Sequence, residues 1–437
     1  MKAFEKNVYQ IYPLGAAGAP YENDFKLEHR LGRFEEKEWL DHYKKLNSDM
    51  ILFNPLFESV SHGYDTIDYR KVDSRLGDNE DLKHLVDTLH ANGISVLFDA
   101  VFNHVGRDFP QFKDVLENRE NSRYKDWFHI DFNGSNSYND GLHYDNWEGY
   151  DALVRLNLKN PEVVQYLLDT VDFWVDEFGV DGLRLDVAYC LDQDFLRALH
   201  QHVKEKNPEF FLLGETLHGD YNTWVNDQML DSCTNYECYK GLFSSFNSKN
   251  FYEILYSLNR QFGKETWCLY TGKHLLSFVD NHDVPRIATQ LENKKDLPSI
   301  YAMMFTMPGI PAVYYGSEWG IEGNKGNNDQ DIRPEVRTPE WNELSDVIAK
   351  LGKIRKEHLE LVYGDYAQIA INNPWCIFAR NLDGKTVWTA INLQDDAVNI
   401  PVDEHRPMEN LMTGETESIE GNVALEPHSF KLLAFQA

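Results

Sequence analysis

Positive charge is scarce in this chain, paired cysteines are missing, and no apolar run approaches the length of a membrane span. Lys and Arg number 42 against 71 Asp and Glu, a formal charge of −29. A nucleic-acid ligand needs a basic surface, so that class of partner is excluded, as is an anionic membrane surface. A well-solvated exterior accounts for the acidity, and a neutral ligand would feel little of it. The five cysteines (Cys190, Cys233, Cys238, Cys268, Cys376) are odd in number and scattered without a CxxC pair. They suit free thiols in a reducing compartment better than a disulfide framework. The first residues, MKAFEKNVYQIYP, contain lysine but no apolar core of a signal peptide. A soluble, cytoplasmic protein is therefore expected. Internal repeats and low-complexity segments are also absent.

What is present is enough apolar material for a large core: 437 residues, 42% hydrophobic and 13% aromatic. That length suits a barrel with an accessory domain. From residue 7 to about 357, short apolar runs alternate with helical patterns. Strands are expected at Asn7–Tyr12, Met50–Phe53, Ile94–Asp99, Gly182–Asp186, Phe210–Gly214, more weakly near Leu230–Tyr236, then Leu275–Asp280 and Pro311–Tyr315. Between them, Leu82, Leu85, Val86 and Leu89 fall at helical spacing, with Asp78 or Asn79 as N-cap and Gly93 as stop. Asn160-Pro161 opens a second helix and Gly179 closes it. The pattern predicts a (β/α)8 barrel over residues 1–105 and 150–357. Residues 106–149 lack a long helical period and read as a loop subdomain inserted after the third strand. From 358 to 437, short strands separated by turn chemistry predict an antiparallel β-sandwich.

Four of the apolar runs end in acids: Asp99, Asp186, Glu215 and Asp283. Burying a lone carboxylate is unfavourable, so strand-tip acids call for partners, water or a substrate. A single one could cap a helix or join an ion pair; four converging tips are the arrangement of a barrel active site. Arg184 lies two residues before Asp186, on the same strand face. It is expected to keep that carboxylate ionised, as a nucleophile requires. Glu215 follows Phe210–Gly214 with no adjacent cation, and an apolar setting suits a general acid. Two carboxyls driven apart in this way are the working parts of glycoside hydrolysis. Asp283 has His282 beside it. Asp99 is expected to orient Arg184.

These residues also carry a resemblance. Asp99-Ala-Val-Phe-Asn-His104, Gly182-Leu-Arg-Leu-Asp186, Gly214-Glu215 and Phe278-Val-Asp-Asn-His-Asp283 resemble, in order, the four signature blocks of the α-amylase superfamily of glycoside hydrolases. Gly63-Tyr-Asp-Thr66 and Gly309-Ile-Pro-Ala-Val-Tyr-Tyr-Gly316 are similar to two supporting blocks. The resemblance implies a retaining mechanism with Asp186 as nucleophile, Glu215 as acid/base and Asp283 as transition-state stabiliser. It implies that Tyr64, His104, Arg184 and His282 hold the sugar, with Asp99 close by. Within the superfamily the look is of cyclomaltodextrinases and neopullulanases, from Tyr124-Lys-Asp-Trp-Phe-His129 and Leu153-Val-Arg-Leu-Asn157. Those enzymes carry an N-terminal β-domain, whereas this sequence starts almost directly at its first barrel strand. Val187-Ala-Tyr-Cys190 also replaces the Ala-Ala-Lys-His of α-amylases. No cofactor is implied; Asn103 matches a calcium-binding position, so calcium is the one metal to test.

The expected activity is hydrolysis of α-glucosidic bonds, mainly α-1,4, in maltooligosaccharides and related short or cyclic maltodextrins. Transglycosylation on the same substrates shares its first step and is the alternative. A metal-dependent hydrolase, drawing on Asp, Asn and His at 99–104 and 280–283, is weaker for want of HxH or HExxH spacing. A non-catalytic binding protein would not need all three acids. Tyr64 is expected to stack on a sugar ring, while Phe102, Trp127, Tyr144, Trp147, Tyr189 and Trp319 are assigned to ordinary packing.

Overall fold

The computed structural model describes residues 2–326 and 329–436. Eight parallel strands form one sheet: β1 (Val8–Ile11), β2 (Met50–Phe53), β3 (Ser95–Ala100), β4 (Gly182–Leu185), β5 (Phe211–Gly214), β6 (Ser232–Cys233), β7 (Leu276–Phe278) and β8 (Ile310–Tyr314). Their order is β6-β5-β4-β3-β2-β1-β8-β7, and a parallel bridge from Thr234 to Leu276 closes the ring. The strands are apolar on both faces because a barrel buries both. Val8, Leu52, Leu97, Leu213 and Ile310 fill the interior, whereas Tyr9, Ile51, Phe53, Val96 and Phe98 face the surrounding helices. Gly182 is required where β4 meets β5, since a Cβ there would lie 2.3 Å from the Phe211 carbonyl oxygen.

The helix Asn79–Ala91 starts in a capping box, with Asp78 accepting from the Asp81 N–H and Asp81 from the Asp78 N–H. Pro161–Phe178 is capped by Asn160 and ends at Gly179 in the left-handed region, φ 71°. Where the sequence suggested a sixth strand at 230–236, the strand proper is only Ser232–Cys233, with isolated bridges at Leu230 and Thr234. The segment after β3 contains a short helix, Pro110–Asn118, begun by proline where its missing N–H is harmless. His104–Gly106 and Asn146–Trp147 flank Tyr150–Arg155 in a small antiparallel sheet that hangs from the barrel rim.

The C-terminal strands are β9 (Asp365–Asn372), β10 (Trp375–Leu382), β11 (Lys385–Asn392), β12 (Val398–Asn410), β13 (Glu415–Leu425) and β14 (Ser429–Gln436). They hydrogen-bond as one antiparallel sheet, ordered β9-β10-β11-β14-β12-β13. Cys376, Phe378, Ile391 and Leu432 join the main core. The alternate residues Ile377, Trp388 and Leu433 meet Ile400, Met408 and Val423 of the long β12–β13 hairpin in a second core. The register of β12 breaks between Pro401 and His405. Among the described residues, no helix is long and apolar enough to cross a membrane.

Candidate active site

Strand periodicity builds the site. Above the apolar layer, the next inward positions of β1, β3 and β4 are Gln10, Asp99 and Arg184, with Asn54 just beyond β2. They form a continuous chain inside the barrel. Gln10 Nε2 donates to Asn54 Oδ1 (2.9 Å), Asn54 Nδ2 to Asp99 Oδ2 (2.9 Å), and Arg184 Nη1 to both Asp99 oxygens (2.7 Å). Arg184 also reaches Asp186 Oδ1 at 3.1 Å through Nη1 and Glu215 Oε1 at 2.9 Å through Nη2. Asp186 and Glu215 are each 5% exposed. One guanidinium thus serves three carboxyls.

This sharing overturns the expectation for Asp186 and corrects the surroundings read for Glu215. Burial, reinforced by Glu215, Asp99 and Asp283, pushes the Asp186 carboxyl well above its usual range although Arg184 pulls it down. The sequence showed the strand neighbour Arg184 but not the acids that dilute it. Glu215, read as lacking a cation, touches Arg184; its carboxyl is still raised, by burial first and by Asp283. Its Oε2 accepts the Val187 N–H at 3.0 Å. Val187 lies at φ 40°, a rare conformation for a β-branched residue that turns this N–H onto Glu215.

Asp283 has a different environment. Burial opposes its charge, but His282 Nε2 (2.9 Å) and Arg333 Nη2 (2.9 Å) prevail and hold it well below the carboxylate range. His282 is buried, its ring parallel to those of Tyr12 and Tyr64. Its Nε2 meets the Tyr64 hydroxyl at 2.5 Å, and that hydroxyl also donates to Asp99 Oδ2 at 3.0 Å. His104 is buried, with Nε2 unpartnered and its pKa pulled down to about 3 by burial. It is therefore a neutral ring at neutral pH.

A cleft of about 640 Å³ opens above these groups, lined by Tyr64, His104, Asp186, Glu215, Asp283 and Arg333 among others. Trp147 and Tyr189, assigned to packing from sequence, also line it, whereas Phe102, Trp127, Tyr144 and Trp319 are buried. Sequence reasoning missed Arg333, Gln10 and Asn54. A polar residue at an inward position of a buried strand was a readable signal for Gln10. Arg333 comes from the 316–334 segment, whose return to the cleft no local pattern announces.

The donors at Asn103 do not fit calcium, which takes six to eight oxygens, commonly from carboxylates. Its Oδ1 is buried and unpartnered, but its amide nitrogen meets His104 Nδ1 at 3.1 Å. Among the described residues, only His29, Asp78 and Asp81 bring three His, Cys or acidic ligand atoms together, and His29 is exposed.

Relatives share this arrangement of sequence and fold. The profile described as "Alpha amylase, catalytic domain" matches residues 37–358. A maltogenic alpha-amylase of Bacillus acidopullulyticus is 32% identical over 416 residues, covering 91% of this chain and 70% of the relative. A cyclomaltodextrinase of Geobacillus thermopakistaniensis (strain MAS1) is 33% identical over 416 residues, 91% of this chain and 69% of its own. Among solved structures, a cyclomaltodextrinase superposes with TM-score 0.85 at 29% identity, covering 99% of this chain and 78% of that one. The debranching enzyme of Nostoc punctiforme gives 0.81 at 28% identity over 99% and 98% of the two chains. With a profile match across most of the barrel and relatives of this identity over nine-tenths of its length, the chain belongs to the alpha-amylase family of glycoside hydrolases.

Proposed function

We propose that the protein is a retaining hydrolase of α-glucosidic bonds, mainly α-1,4, in maltooligosaccharides and related short or cyclic maltodextrins. The observation that carries this reading is the convergence of Asp186, Glu215 and Asp283 on one cleft, in distinct electrostatic settings. The names of the relatives, maltogenic amylase and cyclomaltodextrinase, support the substrate class.

In this reading Asp186 attacks the anomeric carbon while Glu215 protonates the departing glycosidic oxygen. Glu215 then deprotonates water, which releases the sugar from Asp186 with net retention. The raised carboxyls supply the proton: burial makes the Asp186–Glu215 pair hold one above the ordinary carboxyl range. The Val187 N–H favours charge on Glu215 Oε2, as its turn as base requires. Asp283, kept anionic by Arg333 and His282, faces the positive charge that develops on the sugar. Tyr64, His104, Arg184 and His282 are assigned to bind its hydroxyls, with Asp99 ordering Arg184; Tyr64 and His104 line the cleft, and Arg184 and His282 lie buried beneath it. A cytoplasmic setting is part of the proposal, supported by a relative named "intracellular maltogenic amylase".

Chromatography of products from maltoheptaose, β-cyclodextrin and pullulan tests the reading. Release of glucose and maltose with retained anomeric configuration is expected from the first two. Failure to cleave any of the three substrates overturns it. Longer oligosaccharides from maltotriose at high concentration would assign transfer instead of hydrolysis.

A further inference from the structure

Asp283 depends on a segment far from it in sequence. Arg333 Nη2 donates to its Oδ1 at 2.9 Å, and Arg333 Nε donates to the His282 carbonyl at 2.9 Å. Arg333 thus acts with His282 on the charge of Asp283, and with Lys325 Nζ, which donates to the Asp283 carbonyl at 2.7 Å, on the backbone beyond β7. Among the described residues between β8 and residue 343 only short 3-10 turns form; Arg333 pairs with Asp329 at 3.2 Å and lies over the Tyr12 ring, and the backbone that carries it needs a further anchor.

Arg286 supplies one, beside the Tyr314 and Tyr315 hydroxyls, which donate to the Ile332 and Pro334 carbonyls. Its side chain is fully buried, and Nε donates to the Ile332 carbonyl at 3.1 Å, immediately before Arg333. Nη1 donates to the Tyr315 carbonyl and, at 3.0 Å, to Ser317 Oγ, at the start of the same segment. The guanidinium lies over the Tyr314 ring, 4.0 Å from its centroid. Its own backbone N–H bonds to the Gly323 carbonyl at 3.0 Å, in the middle of the segment. One residue therefore clamps the beginning, middle and end of the 315–333 loop. The other end of the clamp is Asp280. Its Oδ2 accepts from Ser317 Oγ (2.7 Å) and from the Ile287 N–H (2.8 Å), which closes the 280–287 turn that carries His282 and Asp283.

Arg286 is poorly explained as a stability device. Its Nη2 and Asp280 Oδ1 are both buried without a hydrogen-bond partner among the described residues. An unsatisfied buried charge destabilises a fold, and an apolar side chain of similar volume would pack there more favourably. What an apolar residue could not do is tie the Tyr315 and Ile332 carbonyls and Ser317 Oγ to the turn that bears Asp283. We infer that Arg286, braced by Asp280 and Ser317, is a positioning residue that sets the Arg333–Asp283 contact and hence the strength of transition-state stabilisation. The inference rests on the assignment of Asp283 as catalytic.

A double-mutant cycle between Arg286→Lys and Arg333→Lys tests it, with kcat and KM on maltotriose and thermal melting for every variant. Lysine keeps the charge but cannot span the carbonyls. Arg286→Lys is expected to lower kcat about 10-fold to 100-fold with KM changed little, the scale of a small misplacement of a reacting group. In the Arg333→Lys background the same change should have no further effect, because its route to Asp283 is already cut. An unchanged kcat, or effects that multiply independently, would overturn the inference. If Arg286→Lys does not fold, Ser317→Ala in the same cycle decides on the same two criteria. Asp283→Asn is measured alongside: near-normal activity there would remove the catalytic assignment itself, a failure distinct from that of the clamp.

Discussion

Two clusters of buried charge in this protein are built on opposite principles. At the barrel mouth, Asp99, Asp186 and Glu215 compete for Arg184, and carboxyls are displaced in both directions. At the junction of barrel and C-terminal sheet, Arg380 is buried with no acid bonded to it among the described residues. Instead it donates to the carbonyls of Thr306, Leu361, Val362 and Gly364 at 2.9–3.3 Å. Toward the other end of β11, His428 is held between Asp296 and Asp395, 2.9 Å from each. The junction groups are held by fixed hydrogen-bond partners, backbone carbonyls for Arg380 and two acids for His428, which is what a structural role demands. The cleft charges are left short of cations, which a fold tolerates only where chemistry uses the imbalance.

The comparison breaks first at the cleft. Glu215→Gln is expected to lower kcat by roughly 10²-fold to 10⁴-fold, the range of general acid/base catalysis. Near-normal turnover of maltoheptaose would refute the assignment. Asp186→Asn should abolish the covalent glycosyl-enzyme formed from an activated fluoro-sugar, as read by intact-mass spectrometry. Because burial raises the Asp186 pKa, its ionised form opposes folding above the ordinary carboxyl range. The Asn variant should therefore melt at the same temperature as the parent or higher at pH 7. A clearly lower melting temperature would show that the cleft charges stabilise the fold after all.

Arg380→Met should do the reverse. It leaves buried carbonyls without donors, at a loss of roughly 3 kcal/mol or more, while kcat stays near the parental value wherever the variant is folded. Denaturant unfolding and kinetics on one preparation separate the two effects. The pH profile sharpens the contrast further. The Asp186–Glu215 pair holds its proton above the usual range, so the basic limb of kcat/KM should lie above pH 4.5, and Glu215→Gln should remove it.

The smallest effect is expected at His428. Its hydrogen bonds to Asp395 and Asp296 raise its pKa above 6.5 against the opposing influence of burial. Stability from this contact is thus fully present below pH 6.5 and lost as pH rises through the higher folded value. Melting of His428→Gln should differ from the parent most at pH 6 and least in alkali. A difference independent of pH would mean that the histidine acts by packing alone.

Much of this was legible before any tertiary contact was known. Helix 79–91 announced itself by its cap and period, and the strand-tip acids by their unsuitability for burial. The (β/α)8 barrel followed from the alternation of such segments. The second side of the site was less readable. Ser232–Cys233 is too short to leave a pattern, and Trp147 lies in a segment of polar and aromatic residues whose hairpin depends on pairing with Tyr150–Arg155. Arg333 belongs to a loop anchored by Arg286, Tyr314 and Tyr315, whose long-range contacts leave no local signal.

The sequence by itself determined which carboxyls would stand at the barrel mouth, because strand periodicity and the avoidance of buried charge are local rules. Only the tertiary structure decided their electrostatics. Arg184 is adjacent to Asp186 in the chain, yet in space it is shared with Asp99 and Glu215, while Asp283 finds its cation fifty residues away. Charge interactions depend on distance and on how much water is excluded, and neither quantity is written along the chain.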